Sequence, residues 1–427
     1  MKKRGFLVST TTAVVTAVTL VGVQLSLPGW AGFRSAPKEV VDEVWQIVNR
    51  EYVDADFNRI DWEERRRDLL AGEYDTSEEA YDAIREVLEE LDDPYTRFLD
   101  PDQYASMQID TSGELTGVGI TLGMDQETDR LIVVSPIEDS PADKVGIKSK
   151  DVIVEIDGKS TEGMDVNAAV NLIRGEPGTV VTLTILRNET ETLDFPIRRD
   201  KIELETVKHE LHNEGQQKIG YIRLTQFSAN AAEKMRDAIQ ELEKQDVDAY
   251  VLDLRQNPGG LLYSSAEIAR MWLDRGAIVS TVNRQGEQDR ITAHHQALTD
   301  RPLAVLVDNG SASASEILSG ALQDNERAIV IGTQTFGKGL VQQVHSLSDG
   351  SGLAVTVARY RTPKGIDINQ KGITPDLTVE MTEDDIALLS ENREAVATLE
   401  DPQYAAAIEA LQSKIIAYRS ETLRSSL

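Results

Sequence analysis

The chain has 427 residues, more than a single hydrophobic core usually fills, so two or three domains are expected. Its 73 acidic and 44 basic residues give a net charge of −29, which repels polyanions and makes nucleic acid an unsuitable partner. The chain has no cysteine, which excludes disulfides, thiolate metal sites and cysteine nucleophiles.

The amino terminus has the pattern of an export signal. Three basic residues at positions 2–4 precede an uncharged stretch from Gly5 to Ala31, which contains the apolar run Ala13 to Leu20. We therefore predict a signal peptide over residues 1–31 and an exported protein, in a thylakoid lumen or a periplasm. The alternative is a leader that stays uncleaved and associates the chain with a membrane.

Residues 32–102 show helical spacing. Apolar residues recur every three to four positions from Val40 to Val48 and again from Ala80 to Leu91. The run Asp92-Asp93-Pro94 ends the pattern, because proline removes a helical hydrogen bond. This segment is predicted to be a helical N-terminal region.

Between residues 103 and 199 the pattern changes to short strands separated by glycine, proline and aspartate turns. One helix, Asp165–Ile173, interrupts them. The segment has a suitable size for an independent, mostly β domain. Its clearest strands are Leu131–Val134, Val152–Ile156 and Val180–Leu186.

In residues 200–381 strands and helices alternate, which predicts a largely parallel α/β sheet with chemistry at the strand ends. Residues 382–427 return to a helical pattern and are expected to pack on this core. The predicted strands of the α/β segment are Ile219–Arg223, Ala249–Leu254, Leu303–Val307 and Ala328–Ile331; its predicted helices are Ala229–Lys244, Ser264–Leu273 and Ala314–Gln323.

A serine at the start of a predicted helix is the first candidate for chemistry. Ser311, Ser313 and Ser315 belong to the segment Ser311–Glu316, which follows strand Leu303–Val307 and opens the next helix. The positive end of the helix dipole favours an alkoxide or an oxyanion there. The alternative is structural, because serine is a common helix cap.

A lysine between two glycines is the second candidate. Lys338 lies in Thr335-Phe336-Gly337-Lys338-Gly339, where the flanking glycines let the backbone approach another group. A lysine acts as a base only when it is neutral, which requires a depressed pKa. Gln342, four residues later on a predicted extended strand, faces the same side and is expected to orient the amine. The alternative is an ordinary surface lysine.

A third loop, Asn257-Pro258-Gly259-Gly260, follows another strand of the same sheet. Its glycines allow backbone N–H groups to turn inward as an oxyanion hole, with the amide of Ala314 as a second donor. Read alone, the loop is also an ordinary turn. None of the five histidines lies in these loops, so a serine–histidine triad and a metal site have no support in the sequence.

In these loops the chain resembles the carboxyl-terminal processing, or tail-specific, proteases, which are Ser-Lys endopeptidases with an inserted PDZ domain. Ser313 and Lys338 lie 25 positions apart, the family's spacing. The resemblance implies an α/β multidomain fold with a core of the ClpP/crotonase-like type, and no cofactor. It makes Ser313 the nucleophile, Lys338 the base and Gln342 the residue that orients the lysine. Gly259 or Gly260 matches the oxyanion loop, and Asp324 matches an acidic position with a supporting role.

The small β domain resembles a PDZ module. Thr116-Gly117-Val118-Gly119-Ile120 stands where the family's carboxylate-binding loop lies, which implies capture of a substrate's free carboxyl terminus. The tail is expected to bind in a groove beside helix Asp165–Ile173, the groove helix. Arg174, at the end of this helix, is a candidate for coupling the binding of a tail to the α/β protease core. A cation that only stabilises the helix end is the alternative.

The helical flanks and the run Val357 to Pro363 look most like the plant and cyanobacterial branch of the family. The resemblance implies that the chain trims the C-terminal extension of a photosystem II reaction-centre precursor, a membrane protein with a tail exposed to the lumen. Two alternative functions remain. The chain could be a non-catalytic PDZ protein with a degenerate protease domain, or a crotonase-like acyl-CoA enzyme. The export signal and the PDZ insertion oppose the second alternative.

Overall fold

The computed structural model describes residues 37–125, 128–188, 190–286 and 288–425. The predicted signal peptide therefore lies outside the described residues. Within those four ranges, no helix has both the length and the apolar character needed to cross a bilayer. The described chain divides into a compact unit over Ser112–Glu205 and a larger unit made by the residues before and after it.

The N-terminal part of the larger unit is helical, as predicted. The apolar faces of its first three helices form one core with Leu353 and Val355 from later in the chain. Thr76 caps the third helix, since its side chain accepts a hydrogen bond from Glu79 N–H. The elements are α1 (Pro37–Glu51), α2 (Trp62–Ala71), α3 (Ser77–Glu89), β1 (Arg97–Leu99) and α4 (Pro101–Ser112).

The smaller unit is mostly β, as predicted. Its elements are β2 (Glu114–Gly117), β3 (Ile120–Asp125), β4 (Arg130–Pro136), α5 (Pro141–Lys144), β5 (Val152–Ile156), β6 (Lys159–Ser160), α6 (Val166–Ile173), β7 (Val180–Arg187), β8 (Glu191–Arg198) and β9 (Asp200–Glu203). The main sheet is antiparallel in the order β3-β4-β5-β7-β8, with β6 beside β5, and β2 pairs separately with β9. Strand β3 is therefore an edge strand of this sheet.

The rest of the larger unit contains the predicted parallel sheet. Its elements are β10 (Val207–Glu214), β11 (Gln217–Leu224), α7 (Ala231–Lys244), β12 (Ala249–Asp253), α8 (Leu262–Trp272), β13 (Ala277–Asn283), β14 (Gln288–Thr292), β15 (Leu303–Val307), α9 (Ala314–Asp324), β16 (Ile329–Gly332), β17 (Leu340–Ser346), β18 (Gly352–Arg361), β19 (Leu377–Thr378), α10 (Glu383–Glu391) and α11 (Pro402–Ser425). The sheet order is β10-β11-β12-β15-β16-β19, with β11 to β19 parallel and β10 antiparallel. The loops after β12 and β15 therefore leave the same edge of the sheet.

A second, antiparallel sheet is the main feature that the sequence did not predict. It has the order β1-β18-β13-β14, with β17 paired to β18. Strand β18 is buried along most of its length, so it lacks the alternation that identifies a half-exposed strand. Helix α11 covers one face of the parallel sheet with Tyr404, Ile408 and Leu411.

Candidate active site

Ser313 lies in a sharp turn between β15 and α9. Its backbone has φ 57° and ψ −111°, a combination that residues with a side chain rarely adopt. Its backbone N–H donates to Glu316 Oε2 at 2.8 Å, and α9 begins at the next residue. The strained turn therefore places the Ser313 side chain at the positive end of the helix dipole.

The two neighbouring serines have structural contacts. The Ser311 hydroxyl donates to the Leu254 carbonyl oxygen at 2.8 Å, and the Ser315 hydroxyl donates to the Asn257 carbonyl oxygen at 2.9 Å. Both hydroxyls thus fasten the start of α9 to the loop after β12. That Ser311 and Ser315 are only neighbours of a nucleophile stays a prediction.

Lys338 is buried, with 2% of its surface exposed. No described residue accepts a hydrogen bond from its Nζ, and the ring of Tyr95 has its centre 4.6 Å from that atom. Burial, helped by the positive charge of Arg97, lowers the pKa of Lys338 to about 7, against the attraction of Asp93 and Glu316. Much of the lysine is therefore neutral at neutral pH, as a general base requires.

Glu316 joins the serine turn to the lysine loop. Its buried carboxylate accepts from Ser313 N–H at 2.8 Å and Lys338 N–H at 2.9 Å on Oε2, and from Gly337 N–H at 2.7 Å and the Thr335 hydroxyl at 2.6 Å on Oε1. Burial raises the pKa of Glu316, while these four donors oppose the shift by stabilising the carboxylate. One side chain thus fixes the backbone on both sides of the candidate pair.

A second side chain reinforces this connection from β18. The hydroxyl of the buried Tyr360 is hydrogen-bonded to the carbonyl oxygens of both Ser313 and Lys338. The amide and the carbonyl of each candidate residue are therefore held by a shared partner. The serine turn and the lysine loop are therefore joined by two shared side chains even though 25 positions separate Ser313 from Lys338.

Gln342 is buried beside its cross-strand partner Thr356, and its Nε2 donates to the Thr356 hydroxyl at 3.3 Å. Its Oε1 is buried and has no donor among the described residues. The strand argument that placed Gln342 and Lys338 on one face does not apply, because β17 starts at Leu340 and a bulge separates Val341 from Gln342. The site nevertheless contains an acceptor and an amine that both lack partners.

Gly259 lies directly against the serine turn. A side-chain Cβ at this position would stand 2.9 Å from Ser313 Cβ and 2.7 Å from the Ala312 carbonyl oxygen, so no larger residue fits. The Gly259 N–H donates to Asn257 Oδ1 at 2.9 Å and is already used. No backbone acceptor is found for the amides of Gly260 and Ala314 among the residues that the structure describes, so both N–H groups are available to an external acceptor.

Asp324 lies at the other end of α9, away from the serine turn. Its Oδ2 accepts from Lys364 N–H at 2.9 Å and its Oδ1 lies 3.7 Å from Lys364 Nζ. The carboxylate thus ties the end of α9 to the turn after β18. The supporting role that the resemblance implies for Asp324 stays a prediction.

The residues predicted to bind a tail occupy two elements of the smaller unit. Thr116 and Gly117 belong to β2 and pair with β9, while Val118 is buried in the core. Gly119 has φ 80° and its carbonyl accepts from Ile137 N–H, and Ile120 opens the edge strand β3. Helix α6 packs beside β3, with Asp165 as its N-cap, so a groove helix flanks a free strand edge.

Arg174 ends the groove helix. Its backbone N–H donates to the Val170 carbonyl oxygen, and its side chain makes no hydrogen bond or ion pair with a described residue. The coupling role that the sequence suggested for Arg174 stays a prediction.

Several residues of the site were not predicted individually from the sequence. Glu316 follows Ser313 by three positions, and this Ser-x-x-Glu spacing is the capping-box signal that identifies it. Tyr95, Arg97 and Tyr360 come from the antiparallel sheet and the segment that leads into it. No local pattern connects those residues to the serine turn, because only the tertiary fold brings them there.

Comparisons with known proteins show which family and which domains the chain resembles. Residues 218–379 match the model of peptidase family S41, and residues 132–187 match a PDZ domain. The chain is 46% identical to a carboxyl-terminal-processing protease of the cyanobacterium Picosynechococcus over 90% of this chain and 92% of the relative. It is 44% identical to the chloroplastic carboxyl-terminal-processing peptidase 2 of Arabidopsis thaliana, over 78% of this chain and 67% of that protein. A solved structure titled photosystem II D1 C-terminal processing protease matches with 37% identity and a TM-score of 0.56, covering 87% of this chain and 99% of that structure.

Proposed function

The chain belongs to the S41 family of carboxyl-terminal-processing serine proteases and carries a PDZ domain, and from this premise we propose that Ser313 is its nucleophile and Lys338 its general base. The observation that carries the proposal is the buried, unpartnered amine of Lys338 in a loop that shares Glu316 and Tyr360 with the serine turn. The alternative of a non-catalytic tail-binding protein is not favoured, since every residue that the chemistry needs is present.

The proposed reaction begins when neutral Lys338 takes the proton of the Ser313 hydroxyl. The serine oxygen then bonds to the scissile carbonyl carbon, and the amides of Gly260 and Ala314 stabilise the oxyanion that forms. The protonated lysine donates to the leaving amine as the C–N bond breaks, which leaves an acyl-enzyme. Water, deprotonated by the same lysine, releases the shortened chain.

Gln342 is proposed to orient the lysine amine. Its Oε1 and the Lys338 Nζ are both buried without partners among the described residues, and such atoms are costly unless they find one. The proposed arrangement has the neutral amine donating a hydrogen bond to this oxygen. An amide acceptor orients the lysine without a negative charge that would keep it protonated.

The smaller unit is proposed to capture the free carboxyl terminus of the substrate. Strand β3 has a free edge, and an extended tail adds to such an edge by main-chain hydrogen bonds. Apolar side chains Ile120 and Leu122 on β3 and Val166 on α6 are partly exposed around that edge and offer contacts for the tail. The carboxylate-binding loop is proposed to be Gly119 and its neighbours, because they lead into the edge strand β3.

The proposed natural substrate is a photosystem II reaction-centre precursor with a C-terminal extension. The support is similarity to a structure whose title names that reaction, together with relatives from cyanobacteria and chloroplasts. Such a substrate presents its tail in a thylakoid lumen or a periplasm, which suits the predicted export signal. Polypeptide tails are thus the proposed partners.

Three polypeptides with the same body test the proposal. One ends in the natural extension with a free carboxylate, one has the same extension amidated at its end, and one ends in an unrelated apolar tail. We expect Ser313→Ala to cleave none of them, and we expect amidation to raise the KM of the active protein. Equal cleavage of the free and amidated tails would reject carboxylate capture, while equal cleavage of all three would also reject the proposed substrate.

A further inference from the structure

Arg255 is a buried arginine in the first turn after β12, five residues before Gly260. Its guanidinium is held by Asp253 on one side, with Nε and NH2 within 3.1 Å of the carboxylate oxygens. On the other side NH1 and NH2 donate to Asp401 at 3.0 and 2.8 Å. Arg255 therefore lies between two carboxylates, one from the parallel sheet and one from the C-terminal segment.

Asp401, the residue before α11, is fully buried. Besides the guanidinium, its carboxylate accepts from the backbone N–H groups of Ala397, Gln403 and Tyr404 at 3.1 to 3.3 Å. All of these partners are donors. Only a carboxylate satisfies them all, because an amide in its place would direct an N–H₂ group at other donors.

The loop that Arg255 begins is strained and closely fitted to the serine turn. Gln256 has φ 57°, a conformation that persists only when its surroundings enforce it. The Asn257 carbonyl accepts from Ala312 N–H at 3.0 Å and its Oδ1 accepts from Gly259 N–H. Asn257 thus connects the loop that Arg255 begins both to Gly259, the residue before Gly260, and to the serine turn.

We propose that Asp401 is a positioning residue for the oxyanion loop, because it fixes Arg255 and through it the Gly260 amide relative to Ser313. The C-terminal segment is by this inference part of the active-site scaffold. The inference rests on the proposed function of the Gly260 amide as an oxyanion donor.

Docking of α11 does not by itself require this ion pair. The helix already buries Tyr404, Ile408, Leu411 and Ile415 against the sheet. Removing ions from water is costly, so a buried ion pair is seldom the main source of stability. The Arg255 guanidinium instead fixes the position of the loop relative to the C-terminal segment, because its planar set of N–H donors binds the carboxylates of Asp253 and Asp401 at the same time.

The test compares Asp401→Asn with a matched control on the same helix. Arg419 of α11 pairs with Asp248 at 2.7 Å, and no hydrogen bond or ion pair joins it to the described residues of the loop, so Arg419→Ala is expected to loosen the docking without disturbing Arg255. Initial rates on a polypeptide substrate give kcat and KM for each variant, and thermal unfolding monitors the fold. We expect Asp401→Asn to lower kcat about tenfold, with KM and the acid limb of the pH profile unchanged. Arg419→Ala keeps kcat within about twofold of the unmodified protein.

If Asp401→Asn does not fold, Asp401→Glu replaces it, because that variant keeps the charge but displaces the carboxylate. A larger loss of kcat than in Arg419→Ala supports positioning. Equal kcat values in the two variants would overturn the inference, even if their unfolding temperatures differ. Activity of Ser313→Ala would instead reject the proposed function. Failure of the positioning role of Asp401 is therefore distinguishable from failure of the proposed function.

Discussion

Lys338 Nζ lies 4.6 Å from the centre of the Tyr95 ring. The ring faces a buried amine that has no hydrogen-bond partner among the described residues. Two effects of the ring oppose each other: it excludes water, which favours the neutral amine, and its π face attracts the ammonium. Burial is the largest cause of the lowered pKa of Lys338, so exclusion of water dominates.

The pH profile of the protease is expected to show this lysine directly. Since the base must be neutral, kcat/KM rises with pH and levels off above an apparent pKa of about 7. Tyr95→Ala admits water to the amine and moves this limb to higher pH. Tyr95→Phe keeps the ring and leaves the limb in place. A limb that is unchanged in Tyr95→Ala would show that the ring does not control the lysine.

Replacement of Lys338 by methionine is expected to stabilise the fold while removing activity. The folded-state pKa of about 7 lies below the usual value of 10.5, so the unfolded chain binds more protons between these two values. The free-energy cost of burying this lysine is fully present below pH 7, falls as the pH rises from 7 to 10.5 and is absent above pH 10.5. By linkage this cost is at most about 5 kcal/mol. Denaturant unfolding at pH 6 and at pH 10 measures how much more stable Lys338→Met is than the unmodified protein, and we expect the larger gain at pH 6. An equal gain in stability at the two pH values would contradict the lowered pKa.

Glu316→Gln is expected to uncouple the serine turn from the lysine loop. The amide directs an N–H₂ group at backbone donors, so the variant loses roughly 2 to 4 kcal/mol of unfolding free energy. We expect kcat to fall by about a hundredfold, since each ångström of misplacement is costly in catalysis. Asp385→Asn is the matched control, because Asp385 has the same place in a capping box on the exposed helix α10. Unchanged kcat in Glu316→Gln would contradict the role of Glu316.

Gly259→Ala tests the close approach of the loop to Ser313. The new methyl group would collide with Ala312 and Ser313 at a residue whose φ is 105°. We expect loss of most activity and several kcal/mol of stability. Gly215→Ala is the control, because its φ of 65° is also positive but its surroundings are open. That change costs roughly 1 kcal/mol and leaves kcat unaltered.

The sequence predicted the parts of the fold that have a clear period. Helix α6 starts one residue after the predicted first residue, Asp165, which is its N-cap, and it ends at the predicted Ile173. The four predicted parallel strands lie within two residues of their predicted bounds. The antiparallel sheet was not predicted, because β18 is almost continuously buried and its pairing with β1 and β13 joins distant parts of the chain. Burial on both faces removes the alternation that a sequence pattern depends on.

In the candidate site, too, the residues with a local sequence motif were predicted and those that depend on tertiary contacts were not. Ser313, Lys338 and the glycine loop are local motifs, and the fold brings them together. Glu316 was recoverable from its capping-box spacing, but Tyr95, Tyr360 and Asp401 act through contacts between segments far apart in sequence. The environment that lowers the pKa of Lys338 belongs to the tertiary structure, so no local motif predicts it.

Ser313 is proposed to attack the substrate with neutral Lys338 as its base. The most direct test measures the rate of tail release from one polypeptide by the unmodified protein, by Ser313→Ala and by Lys338→Met, with tail affinity determined separately for each. The proposed role of Lys338 requires equal tail affinity in all three proteins and cleavage by the unmodified protein alone. Tail release by Lys338→Met at a rate near that of the unmodified protein would contradict it.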